Sequence, residues 1–122
     1  MNTIKKVLLG LALAFVCVVT LASCSKVSQS YADKVNNAAK DGEYVTYETA
    51  KNDLGDEVLV DIAGQMIAVK GLTKDNYKEK LDNADENTKF SVIMVNTLLG
   101  NCVSATYAEF TVKEVKAKLG VE

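Results

Sequence analysis

The chain has 122 residues, 48% hydrophobic and 25% charged, with 14 basic residues, all lysine, against 16 acids and a formal net charge of −2. That length fits one domain. The absence of His removes the commonest general base and neutral metal ligand, the absence of Arg removes bidentate oxyanion clamping, and the acidic balance argues against nucleic acid.

The chain opens with Lys5 and Lys6 and no acid, then runs uncharged and apolar from Val7 to Ala22. This is the layout of an export signal. Leu21-Ala22-Ser23-Cys24 closes the run and resembles the lipobox of bacterial lipoproteins. That resemblance implies cleavage between Ser23 and Cys24 and a diacylglyceryl thioether on Cys24. The uncharged stretch to Ser25 is also long enough to be weighed as a spanning helix, which needs about 20 residues. Small residues before the cysteine favour cleavage, and both readings put everything after Ser25 outside the cytoplasm. Two or more acyl chains give firm anchoring where one does not. The expected location is therefore extracytoplasmic, on the cell membrane, or on the outer membrane if the host has one. The expected division is a signal peptide over 1–23, a lipidated tether over 24–29 and a single domain over 30–122. With Lys5 and Lys6 removed, 12 lysines face 16 acids, a net charge of −4 on the exported part.

Ser30 is positioned to cap a first helix carrying Tyr31, Val35 and Ala38 or Ala39 on one face, with Gly42 as its stop. Thr46 opens a second, with Glu48 in its first turn, Tyr47, Ala50 and Leu54 on the buried side, and Gly55 at its end. Val58–Ile62 and Gln65–Val69 read as strands around an Ala63-Gly64 turn. Thr73 is placed to cap a third helix with Tyr77, Leu81 and Ala84 on one face. Phe90, Val92 and Met94 alternate along a third strand, Leu98–Asn101 turns the chain, and Val103, Ala105 and Tyr107 alternate along a fourth. Thr111 with Glu114 spells a capping box for a last helix bearing Val112, Val115 and Leu119. The expected fold is α+β, a small antiparallel four-stranded sheet of two hairpins with helices packed on one face. Thr46…Leu54 and Thr73…Leu81 share one spacing and each precedes a hairpin, a weak internal echo.

Thr46, Ala50, Leu54 and Gly55 together resemble the signature of the SmpA/OmlA (BamE-like) lipoproteins and of the related β-lactamase-inhibitor-like fold. Glu57 stands where that family often has Pro. The resemblance implies a non-catalytic module that binds other proteins at the cell envelope, and no binding residue is carried over from it.

Catalytic chemistry has little to start from. No Ser-His or Cys-His pair can form, no phosphate loop is present, and no cofactor or metal site is expected. Cys102, alone once Cys17 leaves and Cys24 is acylated, reads as a buried inert thiol. Asp53, Asp56, Glu57 and Asp61 cluster without calcium-loop spacing and read as a solvated turn rather than a cation site. Lys74, Lys78 and Lys80 are interleaved with acids and read as surface. Of Tyr44, Tyr47, Tyr77 and Tyr107, three fall on inferred core faces, leaving Tyr44 as the candidate contact residue. The expected role is a membrane-tethered binder of another envelope protein, as scaffold, assembly factor or inhibitor. The alternative is a lipoprotein that binds a small ligand or cell-wall fragment.

Overall fold

The computed structural model describes residues 25–121, so Ser23 and Cys24 lie outside the described residues. The element order is α1 (Gln29–Lys40), α2 (Tyr47–Leu54), a single 3₁₀ turn (Gly55–Glu57), β1 (Val58–Ile62), β2 (Gln65–Val69), α3 (Tyr77–Asn83), β3 (Lys89–Leu98), β4 (Asn101–Thr111) and α4 (Val112–Leu119). The fold is α+β. Its strands form one antiparallel sheet in the order β1-β2-β3-β4, two hairpins joined through α3.

The helices divide between the two sheet faces, where the sequence pattern led us to expect one. Val27, Tyr31, Ala32 and Val35 of the α1 region and Ala50 and Leu54 of α2 pack with Met66, Ala68, Ile93, Val95, Cys102 and Ala105. Leu81 of α3 and Val112 and Val115 of α4 pack with Ile67, Val69 and Val92. Adjacent strand residues point to opposite faces, so the pairs Ile67/Ala68 and Val92/Ile93 assign the clusters to opposite sides. The cause is visible in β2 and β3. Met66–Val69 and Val92–Val95 are unbroken apolar runs, the mark of a strand covered on both sides.

Capping explains which helices begin where expected. Thr46 accepts from Thr49 N–H at the start of α2, and Thr111 and Glu114 form both bonds of the capping box on α4. The α1 cap is Ser28 rather than Ser30, its hydroxyl accepting from Tyr31 N–H at 3.2 Å. Thr73 does not cap α3. Its own N–H donates to the Asn76 side chain at 2.8 Å, so residues 73–76 form a turn and the helix starts at Tyr77. The two helix–hairpin segments thus differ in capping, and their helices α2 and α3 lie on opposite faces of the shared sheet.

Residues 25–28 are no free tether. Val27 is buried in the core, and Ser25 donates its hydroxyl to Glu57 at 2.8 Å. The second oxygen of Glu57 accepts Gly71 N–H at 2.7 Å. This latch holds the start of the domain at the end of the sheet where β1 begins and β2 ends.

The β4 margin is also held. Asn36 of α1 accepts Ala105 N–H at 2.9 Å and donates to Ala105 C=O at 2.8 Å, as a neighbouring strand would. Val45 accepts Cys102 N–H, and Tyr47 N–H donates to Gly100. Between Asn96 and Thr97 the β3–β4 register shifts by a bulge. It places Cys102 on the same face as Ala105 and leaves Val103 exposed, against the simple alternation expected of Val103, Ala105 and Tyr107.

Candidate functional site

Both hairpin turns lie at the end of the sheet opposite the Ser25 latch. Ile62 pairs with Gln65 around one turn, Leu98 pairs with Asn101 around the other, and Gln65 pairs with Asn96 between them. Thr97 N–H donates to Gly64 C=O at 2.9 Å, tying the turns together. Thr46 bridges to Asn101, which brings Tyr44 and Val45 alongside the β4 end.

This end gathers the exposed large apolar side chains of the described residues. Leu99 is 93% exposed, Leu98 and Ile62 each 62%, Tyr44 42% and Val103 37%. Single exposed apolar residues are ordinary, whereas a contiguous group on a small domain marks an interaction surface. Ile62 is level with Gln65 and Asn96, two strands across, and Leu98 lies two residues further along β3 on the same face, about 12 Å from Ile62. The polar residues of the hairpin ends, Gln65, Asn96, Thr97, Asn101 and Ser104, are uncharged, and the acids beside the group are Glu43, next to Tyr44, and Asp61, next to Ile62. Asn96 donates to the Ser104 hydroxyl at 2.9 Å.

Tyr44 was legible from sequence as an exposed aromatic in a loop. Ile62, Leu98 and Leu99 were missed. The available signal was Leu-Leu immediately before Gly-Asn, apolar residues in a turn that ordinarily draws Asn, Asp or Gly.

The remaining candidates resolve into separate pairs. Asp53 accepts the Tyr31 hydroxyl at 2.8 Å, and burial first, then this bond, push the phenol well above its ordinary range. Asp61 accepts the Tyr47 hydroxyl at 2.7 Å and Lys51 Nζ at 3.2 Å. The Tyr47 bond is the main cause holding Asp61 below the usual carboxylate range, while the Asp61 bond raises both Tyr47 and Lys51. Each shift moves a pKa further from pH 7, so the arrangement fixes ordinary charge states, a neutral phenol included, and readies none of the three for proton transfer. Glu57 is engaged by the latch. Asp53, Glu57 and Asp61 thus go to three different partners, and Asp56 lines an open cavity of about 460 Å³ with Lys51, Asp61 and Lys74.

Tyr47, Tyr77 and Tyr107 pack against the two core clusters. Lys80 reaches the Gly71 carbonyl, and Lys78 sits over the Tyr77 ring. Cys102 is fully buried, its thiol raised by desolvation and aimed at the Thr46 carbonyl 3.6 Å away. Among the described residues no group of three or more potential ligands is placed to hold a metal, and no helix is long and apolar enough to cross a membrane. A largely apolar groove of about 630 Å³ runs beside α4, lined by Glu86, Val112, Lys113, Lys116, Ala117 and Val121.

Compared with family models, curated proteins and solved structures, the chain matches none.

Proposed function

We propose that this chain is a cell-envelope lipoprotein, anchored by acyl chains on Cys24, whose α+β domain binds another protein and catalyses no reaction. The observation that carries the reading is polarity along the sheet. Ser25, the residue after Cys24, is latched at one end, and the exposed apolar turns occupy the other. A lipid on Cys24 would turn Tyr44, Ile62, Leu98 and Leu99 away from the anchoring bilayer, towards other proteins of the envelope. The SmpA/OmlA-like spacing over Thr46–Gly55 points within this reading to a scaffold or assembly factor.

The test is metabolic labelling with an alkynyl fatty acid, with in-cell crosslinking, of wild type beside Cys24→Ala. The expected result is label on wild type alone and one recurrent partner weakened when the anchor is lost. An unlabelled, soluble wild type would overturn the anchor, and a labelled protein without a partner would overturn the binding role. The groove beside α4 supports the second reading, a bound apolar ligand, since its volume falls in the usual range for small-molecule sites. Native mass spectrometry of the protein extracted from its own membranes would detect such a ligand.

A further inference from the structure

We propose that Leu99 is the anchor residue of that interaction, docking into an apolar, uncharged pocket of the partner protein. This rests on the protein-binding reading and names the contact. Leu99 has φ 53° and Gly100 φ 81°, so both central residues of this two-residue hairpin take the left-handed backbone that a type I′ turn requires. Glycine accepts that conformation freely, and Asn or Asp tolerate it; leucine does so reluctantly. Leucine is here the only non-glycine residue with positive φ among those described. At 93% exposure no neighbour in its own fold rewards the side chain. Turn chemistry and core packing both leave a leucine at this position unexplained. A strained, exposed apolar side chain is what a contact residue looks like before its partner arrives.

The surroundings select a protein over a lipid surface. From Phe90 to Val112 the hairpin and its flanks contain one charge, Glu109, and no lysine. Binding to anionic headgroups draws on clustered Lys or Arg, which this end lacks. An apolar centre of Leu98, Leu99 and Ile62 within a polar rim of amides, hydroxyls and the acids Glu43 and Asp61 has the anatomy of a protein interface and would repel anionic headgroups. A second copy fits less well. The apolar groove that could receive the turn carries Lys113, Lys116 and Glu86 and lies by Thr111, at the other end of the sheet. Copies joined turn-to-groove would stack end to end. Each would lift the next Cys24 off the membrane by the length of β3, about 30 Å for its ten residues.

The experiment places a photo-crosslinking residue in the full-length protein in cells, as Leu98→p-benzoyl-phenylalanine and, at the opposite end, Lys113→p-benzoyl-phenylalanine. Adducts are identified by mass spectrometry, and the first variant is repeated with Leu99→Asn. The expected result is one protein adduct from position 98, at least tenfold stronger than from 113, and lost at least tenfold with Leu99→Asn. The melting midpoint of the Leu99→Asn protein in detergent should equal or exceed that of wild type, because Asn accepts the turn backbone that leucine resists. An adduct to lipid or to a second copy, an adduct undiminished by Leu99→Asn, or a midpoint several degrees lower would overturn the assignment. A specific protein adduct from 113 but not 98 would overturn Leu99 docking alone. Absence of protein adducts from both, with Cys24 labelled, would overturn the binding reading beneath it.

Discussion

Asn36 stands in for a strand. Its amide donates to and accepts from the backbone of Ala105, satisfying a half-buried edge from a helix 69 positions away. Removing the side chain in Asn36→Ala leaves an N–H and a C=O short of partners, and such groups cost about 1–3 kcal/mol where burial keeps water out. The expected loss is about 2 kcal/mol, read from urea denaturation at unchanged slope. Asp61 gives the acid limb of the stability curve. Its folded pKa lies below the unfolded value of about 4, chiefly through the Tyr47 hydroxyl and then Lys51. Its contribution is therefore fully present above pH ~4 and is lost as pH falls through the folded pKa, because the unfolded chain then binds the proton more readily. Melting curves between pH 3 and 7 should show Asp61→Asn less stable than wild type near neutrality and converging on it in acid. A constant gap at every pH would refute the assignment.

Strands and helices show how much a linear pattern can carry. The β1 and β2 runs and the capped starts of α2 and α4 were legible, because each depends on residues within a few positions of one another. The β3–β4 bulge was not, since it arises in pairing between strands and shifts Cys102 inward in place of Val103. Nor was the start of α3, where the Asn76 side chain takes the Thr73 N–H and draws it into a turn. Tyr44 was visible as a loop aromatic. The exposure of Ile62, Leu98 and Leu99 is set by two hairpins ending together, which no local window contains. The division of helices had a local sign in the apolar runs of β2 and β3, and it makes a direct prediction. Val92 and Ile93 are 1% and 0% exposed on opposite faces. Val92→Lys and Ile93→Lys should each destabilise by more than about 3 kcal/mol, leaving little folded protein by near-UV circular dichroism. A sheet with one bare face would tolerate one of the two.

At the scale of the whole molecule, the Ser25–Glu57–Gly71 latch makes the start of the domain part of its structure. Lys26 is exposed but lies between the latch and buried Val27, so a protease must open this segment to cleave there. Glu57→Ala should accelerate limited tryptic cleavage after Lys26 about fivefold, the equivalent of about 1 kcal/mol of local opening, while the global denaturation midpoint changes less. Equal cleavage of the two proteins would show that the latch does not restrain the segment.

The pinned margin of β4 also bears on how this sheet could grow. Backbone groups along an open edge can recruit further strands, and endless addition needs two receptive edges on every unit. Here Asn36 and Val45 already occupy the first half of β4 at Ala105 and Cys102, and Tyr47 takes the carbonyl of Gly100 in the turn before it. Recruitment along a whole strand is left to β1, and two molecules joined β1 to β1 would each have spent that edge. A crowded surface of such molecules would stop at pairs where a sheet with both edges free could run on into a fibre.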